Sequence, residues 1–354
     1  MTVRIAAPEI CLSFLSNARA ESFKKQILLR NTKIKMEHEM NTLKSKTHRA
    51  SNAWISTLCI GLFFVPLAQA TEGGGTSYPL GVNTVLAGKM PPPGFTEFFY
   101  LSDYSANKTL DGDGNQKQGI HNFDLDVQAL SMRVDYVYQD YSILGAKLAS
   151  RIALPLVKGD VKFDVDTPAG RVHRSDHQEG VGDLTVTPFV LGWSSPRYSQ
   201  LFALDVFAPI GSYDKDRLFN PGRNYWAYGP WYSFTAYPLE KLEVSAKLIY
   251  MFNGENSATH YRSGREFNAD YNIGYNITPE WQVGVNGYAY KQLSDDEKNG
   301  QTYLDGNRGR VVAIGPSIKY QTPAIGFVMK VQHEMLVENR AEGNKFWLQA
   351  VYRF

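Results

Sequence analysis

The chain has 354 residues, of which 43% are hydrophobic and 20% charged, with 37 Lys and Arg against 35 Asp and Glu. Residues 1–70 contain ten of the basic residues, four of the acidic residues and both cysteines, so residues 71–354 have 27 basic and 31 acidic residues and no thiol. This balance argues against a nucleic-acid partner bound through a basic surface, and it excludes disulfides as a source of stability after residue 70.

The first 70 residues have the pattern of a leader. An apolar run, 54–67, follows three basic residues and precedes Ala68-Gln69-Ala70. A positive region, an apolar run too short to span a bilayer and an Ala-x-Ala site together indicate a secretory signal peptide. We assign it to residues 40–70, which predicts a mature protein that begins at Thr71. Residues 1–39 do not fit a signal peptide, and we interpret them as an over-long start-codon assignment.

Residues 71–93 are rich in Gly and Pro and end in Met90-Pro91-Pro92-Pro93. Because proline has no N–H to give to a strand ladder, this segment is not expected to be a barrel strand. Two interpretations stay open. The segment is either a flexible periplasmic tail or a plug that folds into the lumen of the domain that follows.

From residue 94 onwards, apolar and polar side chains alternate with the period of two that is typical of strands. In one such segment Tyr271 and Ile273 alternate with Asp270 and Asn272. An apolar face towards lipid and a polar face towards a lumen would produce this pattern, so Ile273→Arg should destabilise the protein and Asn272→Arg should be tolerated. The alternation predicts twelve strands, at 94–103, 124–138, 144–157, 181–192, 199–210, 224–237, 241–252, 266–277, 281–291, 310–320, 325–336 and 346–354.

The lengths of the connections also alternate. Long connections such as 103–123, 158–180 and 337–345 follow the odd strands, whereas connections of a few residues, such as 139–141, follow the even ones. Long loops at one rim and tight turns at the other are typical of outer-membrane barrels. The predicted fold class is therefore all-β: a transmembrane antiparallel β-barrel of about twelve strands over residues 94–354, with long extracellular loops and short periplasmic turns.

The chain ends in a strand-like segment whose last residue is Phe354, with Tyr352 two places before it. Such an end resembles the signal by which the barrel assembly machinery of bacteria recognises its substrates. We therefore expect export to the outer membrane of a Gram-negative cell, with outer-membrane lipids and that machinery as partners.

The polar face of the strands supplies candidate residues for a lumen. Seven basic and six acidic inward positions are nearly balanced, which predicts a salt-bridged wall rather than strong selection of one ion sign. Charges that only fill a narrow lumen and charges that line a conducting path remain alternatives. The lumen-lining candidates are Arg133, Asp135, Lys147, Arg151, Asp205, Glu243, Lys247, Asp270, Tyr288, Tyr290, Lys330 and Glu334.

No catalytic motif is found, and we expect no enzyme activity and no cofactor. His173 and His177 stand four residues apart, but in a region predicted to be a loop a solvated pair is the better interpretation than a metal site. Asp111, Asp113 and Asn115 begin like a calcium loop but lack its remaining ligands.

Short motifs along residues 72–354 resemble the family named for the MetA pathway of phenol degradation. They include Glu72-Gly73-Gly74-Gly75, Pro91-Pro92-Pro93-Gly94, Gly180-Val181-Gly182-Asp183-Leu184, Pro209-Ile210-Gly211-Ser212-Tyr213 and Gly315-Pro316. The resemblance implies an outer-membrane protein associated with the breakdown of aromatic compounds. It carries over no site residues.

Together these observations favour a channel or transporter for small hydrophobic compounds, aromatic ones included, with a small-molecule solute as its partner. One alternative is a channel for small polar or charged solutes. Another is an outer-membrane lipid-modifying enzyme, which would need a Ser, His and Asn grouping on the lipid face near a rim.

Overall fold

The computed structural model describes residues 75–353, in which strands account for nearly all regular structure. The seventeen strands are β1 Gly94–Thr109, β2 Ile120–Ile143, β3 Ala146–Thr167, β4 Gly170–Val181, β5 Leu184–Ser194, β6 Tyr198–Ala208, β7 Ala227–Leu239, β8 Leu242–Asn253, β9 Glu255–Asn256, β10 Tyr261–Arg262, β11 Glu266–Asn276, β12 Trp281–Gln292, β13 Glu297–Lys298, β14 Gln301–Thr302, β15 Arg310–Gln321, β16 Ile325–Glu338 and β17 Ala341–Arg353.

The long strands form one antiparallel sheet that closes on itself. The first strand pairs with the last, from Thr96 opposite Arg353 to Thr109 opposite Ala341, and closure leaves the barrel without a free edge. Strands β4 and β5 succeed one another along β3, so the thirteen strands of the sheet occupy twelve positions. The predicted twelve-stranded barrel is confirmed.

The break between β4 and β5 has a cause in the sequence. Pro155 of β3 faces the break and has no N–H for a ladder bond, and its carbonyl oxygen instead accepts a hydrogen bond from Gly182 N at 2.8 Å. The Asp183 carboxylate, in the break itself, accepts hydrogen bonds from Gly211 N at 3.0 Å and Arg223 N at 2.7 Å. The loop between β6 and β7 is thereby fastened to the wall.

Two connections expected to be long loops are tight turns between extended strands. β3 and β4 pair as far as Thr167 and Gly170, and β16 and β17 are joined by only two residues, 339 and 340. The expected loops at 158–180 and 337–345 are therefore mostly strand. The polar residues in these two segments face either the solvent or the interior of the barrel. Both environments are compatible with a polar strand as well as with a loop.

Side chains alternate between the outer surface and the lumen as the sequence predicts. Ile273 is 53% exposed on the outer surface, whereas its neighbour Asn272 is 0% exposed and accepts a hydrogen bond from Ser317 Oγ at 3.0 Å. The predicted register is therefore right. At Asn272 the interior is packed with side chains rather than open to water, so Asn272→Arg is expected to destabilise the protein rather than be tolerated.

Aromatic side chains concentrate on the outer face near the short turns. Their ring centroids lie 4.7 Å apart for Phe95 and Tyr136 and 4.8 Å apart for Trp281 and Tyr320. Rings at this level form the girdle that outer-membrane barrels place at a lipid interface.

The opposite rim carries a small sheet of β9, β10, β13 and β14. It is organised by the Asp296 carboxylate, which accepts hydrogen bonds from Tyr261 Oη at 2.5 Å, Gly264 N at 2.8 Å and Asn307 Nδ2 at 2.9 Å. Burial and this carboxylate raise the pKa of the Tyr261 phenol well above its ordinary value. Two extracellular loops are thus joined into one ordered unit.

Within residues 75–353, no helix has the length and apolar character needed to cross a membrane. The assignments of residues 1–39 and 40–70, the start at Thr71 and the role of Phe354 all lie outside the described residues and stay predictions.

Candidate functional site in the lumen

The lumen contains the Gly- and Pro-rich N-terminal segment, described from residue 75. Tyr78, Leu80 and Thr84 are each 3% exposed or less, although no strand of the barrel includes them. Gly81 lies so close to the wall, with φ of 80°, that a Cβ atom would collide with the side chains of Gln332 and Tyr288. Glycine at this position therefore permits both the backbone conformation and the close approach.

One anchor of this segment is the Asp270 carboxylate of β11. It accepts hydrogen bonds from Tyr78 Oη at 2.8 Å, Gly81 N at 2.9 Å and Asn83 N at 3.0 Å. Asp270 is completely buried, and charge-assisted bonds of this kind compensate the loss of its hydration. A single wall carboxylate thus satisfies two backbone donors of the segment.

A second anchor is the Lys330 ammonium of β16, which is also buried. It donates hydrogen bonds to Gly81 O at 2.7 Å, Val82 O at 2.8 Å and Thr84 Oγ1 at 3.0 Å. Gln349 Nε2 adds a bond to Val82 O at 2.7 Å. Asp270 accepts hydrogen bonds from N–H groups of the segment, and Lys330 donates hydrogen bonds to its carbonyl groups. The barrel wall therefore satisfies both the donors and the acceptors of this part of the backbone.

The part of the segment nearer the periplasm has its own contacts. Leu86 N donates to Glu243 Oε1 at 3.0 Å, and Gly88 N donates to Thr235 Oγ1 at 3.0 Å. Lys319 Nζ lies 3.2 Å from Glu243 Oε2, which balances the charge of that buried carboxylate. Residues 75–88 are therefore bonded to β7, β8, β11, β16 and β17.

Beside the segment lies a cluster of paired charges that we call the charge belt: Arg133, Asp135, Arg151, Asp205 and Lys247. Arg151 donates two bonds of 2.9 Å to the two oxygens of Asp135, and Arg133 Nε lies 3.0 Å from the same carboxylate. Lys247 pairs with Asp205 at 3.2 Å. Three cations thus share two carboxylates, which leaves a formal excess of one positive charge.

Aromatic rings hold the cations of the charge belt in place. The Arg133 guanidinium lies 3.7 Å from the ring centroid of Phe98, and the Lys247 ammonium lies 4.4 Å from Trp231 and 4.6 Å from Tyr78. Cation–π contacts stabilise a charge without neutralising it. Arg133 Nη1 also donates to Asn83 Oδ1 at 3.3 Å, so the belt contacts the N-terminal segment directly.

Two cavities meet at the charge belt. The lower cavity, of about 1170 Å³, extends to the periplasmic turns, and the upper cavity, of about 360 Å³, extends towards the extracellular loop between β6 and β7. Both are lined by Arg133, Arg151 and Lys247 together with Tyr100, Val82 and Asn83. The belt and residues 82–83 consequently separate the two spaces.

The upper cavity has an extended apolar wall. β2 contributes Leu125, Val127 and Ala129, and β3 contributes Ala153, Pro155 and Val157. Phe219, from the loop between β6 and β7, packs against Gly159, where a Cβ atom would collide with its ring. An apolar recess with a few polar groups at one end is the usual form of a site for a small organic molecule.

The structure brings most of the predicted lumen residues together. Arg133, Asp135, Arg151, Asp205 and Lys247 form the belt, Glu243, Asp270 and Lys330 bind the N-terminal segment, and Tyr288 and Tyr290 are buried with Glu334, which accepts a 2.5 Å hydrogen bond from Tyr288 Oη. Lys147 is the exception. It is exposed near the periplasmic end of β3 and lines neither cavity, because inward parity at the rim does not place a long side chain in the interior.

Sequence reasoning missed several functional positions. Arg340 is 8% exposed and lines the upper cavity, but it occupies the two-residue turn that was expected to lie in a long loop. The apolar wall of β2 and β3 was also missed. Val127 and Val157 point into the lumen, and the lumen was expected to be lined by polar side chains. Alternation with Asp126 and Lys158 in the sequence could have revealed them.

The histidines that the structure describes do not form a catalytic grouping. In residues 75–353, His121, His173 and His177 each bond an aspartate at 2.6–2.8 Å, His260 bonds Glu255, and His333 bonds Asn344. None of these bonds is to a serine, the pairing that the lipid-modifying alternative requires. The described residues also contain no cluster of His, Cys, Asp and Glu suited to a metal ion.

The motif at Asp111 is a turn. Its carboxylate accepts hydrogen bonds from Asp113 N at 3.0 Å and Asn115 N at 2.9 Å. Both bonds are to Oδ1, as in the turns that an Asp side chain commonly forms with the backbone that follows it.

Comparison with known proteins agrees with this architecture. Residues 106–350 match the family described as "Putative MetA-pathway of phenol degradation". The outer membrane channel from Pseudomonas putida F1 is similar in fold, with 19% identity over 78% of this chain and 100% of that chain and a TM-score of 0.63. No curated protein matches the chain.

More distant barrels are also similar. The beta domain of the Bordetella autotransporter BrkA is 12% identical over 74% of this chain and 100% of that chain, with a TM-score of 0.43. A Pseudomonas aeruginosa FadL homologue is 10% identical over 81% of this chain and 97% of that chain, with a TM-score of 0.36. The first of the three comparisons shows the fold, which is that of an outer-membrane barrel.

Proposed function

The chain belongs to the family of the MetA pathway of phenol degradation, and from this premise we propose that it passes small hydrophobic compounds, aromatic ones included, across the outer membrane. The observation that carries the proposal is the apolar wall of the upper cavity. Adjoining Val, Leu, Pro and Phe side chains offer no hydrogen bonds to a sugar or a salt ion. Each apolar contact with them lowers the free energy of a bound hydrophobic solute.

The route we propose follows the two cavities. A solute enters the upper cavity along β2 and β3, passes the charge belt and leaves through the lower cavity towards the periplasmic turns. Residues 75–93 lie across this route, so passage requires them to move. A few side chains, chiefly Asp270, Lys330 and Glu243, hold these residues. The segment can therefore move by breaking bonds to side chains, and the hydrogen bonds between the barrel strands stay intact.

The experiment measures the initial uptake of labelled toluene and phenol by whole cells with an intact outer membrane, with and without the protein. Val127→Asn adds a polar amide to the apolar wall and should lower uptake several-fold. Val172→Asn makes the same change on β4 at an exposed position outside both cavities and should have no effect. Outer-membrane amounts of the variants are matched by the intensity of the folded band.

The alternative of a channel for small polar or charged solutes is favoured by one observation, the charged residues that line the lower cavity. Of the described residues that line it, seven are Lys or Arg and two are Glu. If the protein raises uptake of a neutral sugar and not of toluene or phenol, this alternative is correct and the hydrophobic route is wrong.

A further inference from the structure

The charges that line the two cavities are not balanced, in contrast to the balance expected from strand parity. Of the described residues, six cations and three carboxylates line the upper cavity, and the excess of cations is larger still in the lower one. Several of the acidic residues counted from the sequence, among them Asp270 and Glu243, are covered by the N-terminal segment and line neither cavity.

Of the charged residues described, only cations are shared between the two cavities. The charged residues that line both spaces are Arg133, Arg151 and Lys247, and no carboxylate lines both. Asp135 is 2% exposed and lies behind the two arginines, so its charge is directed at them and not at the lumen. A solute that moves from one cavity to the other therefore meets cationic groups at this step.

These cations are not free to turn away. Arg151 is held by two bonds to Asp135, Arg133 is stacked on Phe98, and Lys247 lies between Trp231, Tyr78 and Asp205. Groups fixed in advance cost little reorganisation when a ligand arrives. The rings that surround them also offer faces against which a planar apolar body can pack.

From this arrangement we propose that the transported compound is an aromatic anion, with a ring that occupies the apolar wall of the upper cavity and a carboxylate that is bound by the charge belt. The proposal rests on the proposed function and narrows it, since it assigns a charge to the solute. Arg133 is the residue that determines this specificity, because Arg151 and Lys247 retain Asp135 and Asp205 as partners when Arg133 is removed.

The test compares three compounds of similar size: benzoate, benzyl alcohol and benzylammonium, which are anionic, neutral and cationic at pH 7. Binding to the purified full-length protein is measured by calorimetry, and uptake is measured in whole cells. Benzoate is expected to bind most tightly and to enter fastest, and benzylammonium to bind least. One unit charge at about 5 Å in water corresponds to about fourfold in affinity, and a partly buried site increases this factor.

Arg133→Met should lower benzoate affinity and uptake by at least about fourfold, with benzyl alcohol changed by less than twofold. Arg133→Lys keeps the charge and should restore most of the preference. Lys298→Met removes a cation from β13, outside both cavities, and should have no effect. If Arg133→Met fails to fold, Arg133→Gln, which removes the same charge from the belt but keeps a polar side chain, gives the same comparison.

The outcomes separate the inference from the function on which it rests. If benzyl alcohol binds and enters as well as benzoate, and Arg133→Met leaves this ratio unchanged, the charge assignment is wrong while the hydrophobic route stands. If none of the three compounds binds or enters above the level of cells without the protein, the proposed function itself is wrong. Faster entry of benzylammonium than of benzoate also overturns the inference.

Discussion

Asp270→Asn is expected to weaken the docking of the N-terminal segment without opening the barrel. The two carboxylate oxygens accept four bonds. Oδ2 receives Tyr78 Oη and Asn83 N, while Oδ1 receives Gly81 N and the side-chain amide of Asn268. An asparagine has one oxygen and one NH₂ group, so in either orientation two donors lose their acceptor and face another donor.

The magnitude follows from the bonds that are lost. Whichever orientation the asparagine takes, at least one bond to the segment disappears, and a bond to a buried charged group contributes about 1.5–3 kcal/mol. Since about 1.4 kcal/mol corresponds to a factor of ten, the ratio of undocked to docked segment should rise by roughly 10- to 150-fold. The barrel ladder does not include this side chain and should keep its stability.

Hydrogen exchange is the direct assay, because the Gly81 and Asn83 amides are protected only while they donate to Asp270. Exchange of a peptide that covers residues 76–88 should accelerate by the stated factor, and planar-bilayer recordings should show more frequent open events. Asp216→Asn, in the exposed loop between β6 and β7, is the matched control. Unchanged exchange in a folded Asp270→Asn barrel would refute the role of this carboxylate as an anchor.

Three further predictions concern the wall and the two ends of the chain. Ile273→Arg on the lipid face should cost roughly 2–4 kcal/mol in reversible unfolding from lipid vesicles, whereas Leu304→Arg in an extracellular loop should cost almost nothing; equal losses would contradict the strand register. Deletion of Phe354 should lower the amount of heat-modifiable protein in the outer membrane, and a band as strong as that of the wild type would count against recognition of the terminal aromatic. N-terminal sequencing of protein purified from outer membranes should begin at Thr71, and a start far from that residue would disprove the assigned cleavage site.

The family and the barrel could be predicted from the sequence because their signals are local or repetitive. A strand with lipid on one side and protein on the other must alternate, so Ile273 and Asn272 show their opposite environments without any knowledge of their neighbours. The charged residues of the lumen could be named for the same reason. Eleven of the twelve candidates are inside the barrel, and Lys147 at the rim is outside the site.

Strand ends were predicted less well than strands. β3 and β4 continue to Thr167 and Gly170, and Arg340 sits in a tight turn, because polar residues at the top of a barrel suit a strand and a loop equally. Nothing in the local pattern of these residues tells a solvated strand from a solvated loop. The pairing partners, which are distant in sequence, make the difference.

The sequence by itself therefore determined the periodic features of this protein: the strands, the lipid face and the identity of most inward charges. Only the tertiary structure decided what those charges do. Asp270 and Lys330 bind a segment nearly 190 and 250 residues away, respectively, whereas Arg133 and Arg151 share one carboxylate and face the cavities. Parity gives each side chain a direction, but the partner it meets there depends on barrel closure and on where residues 75–93 fold, and neither is encoded by spacing along a strand.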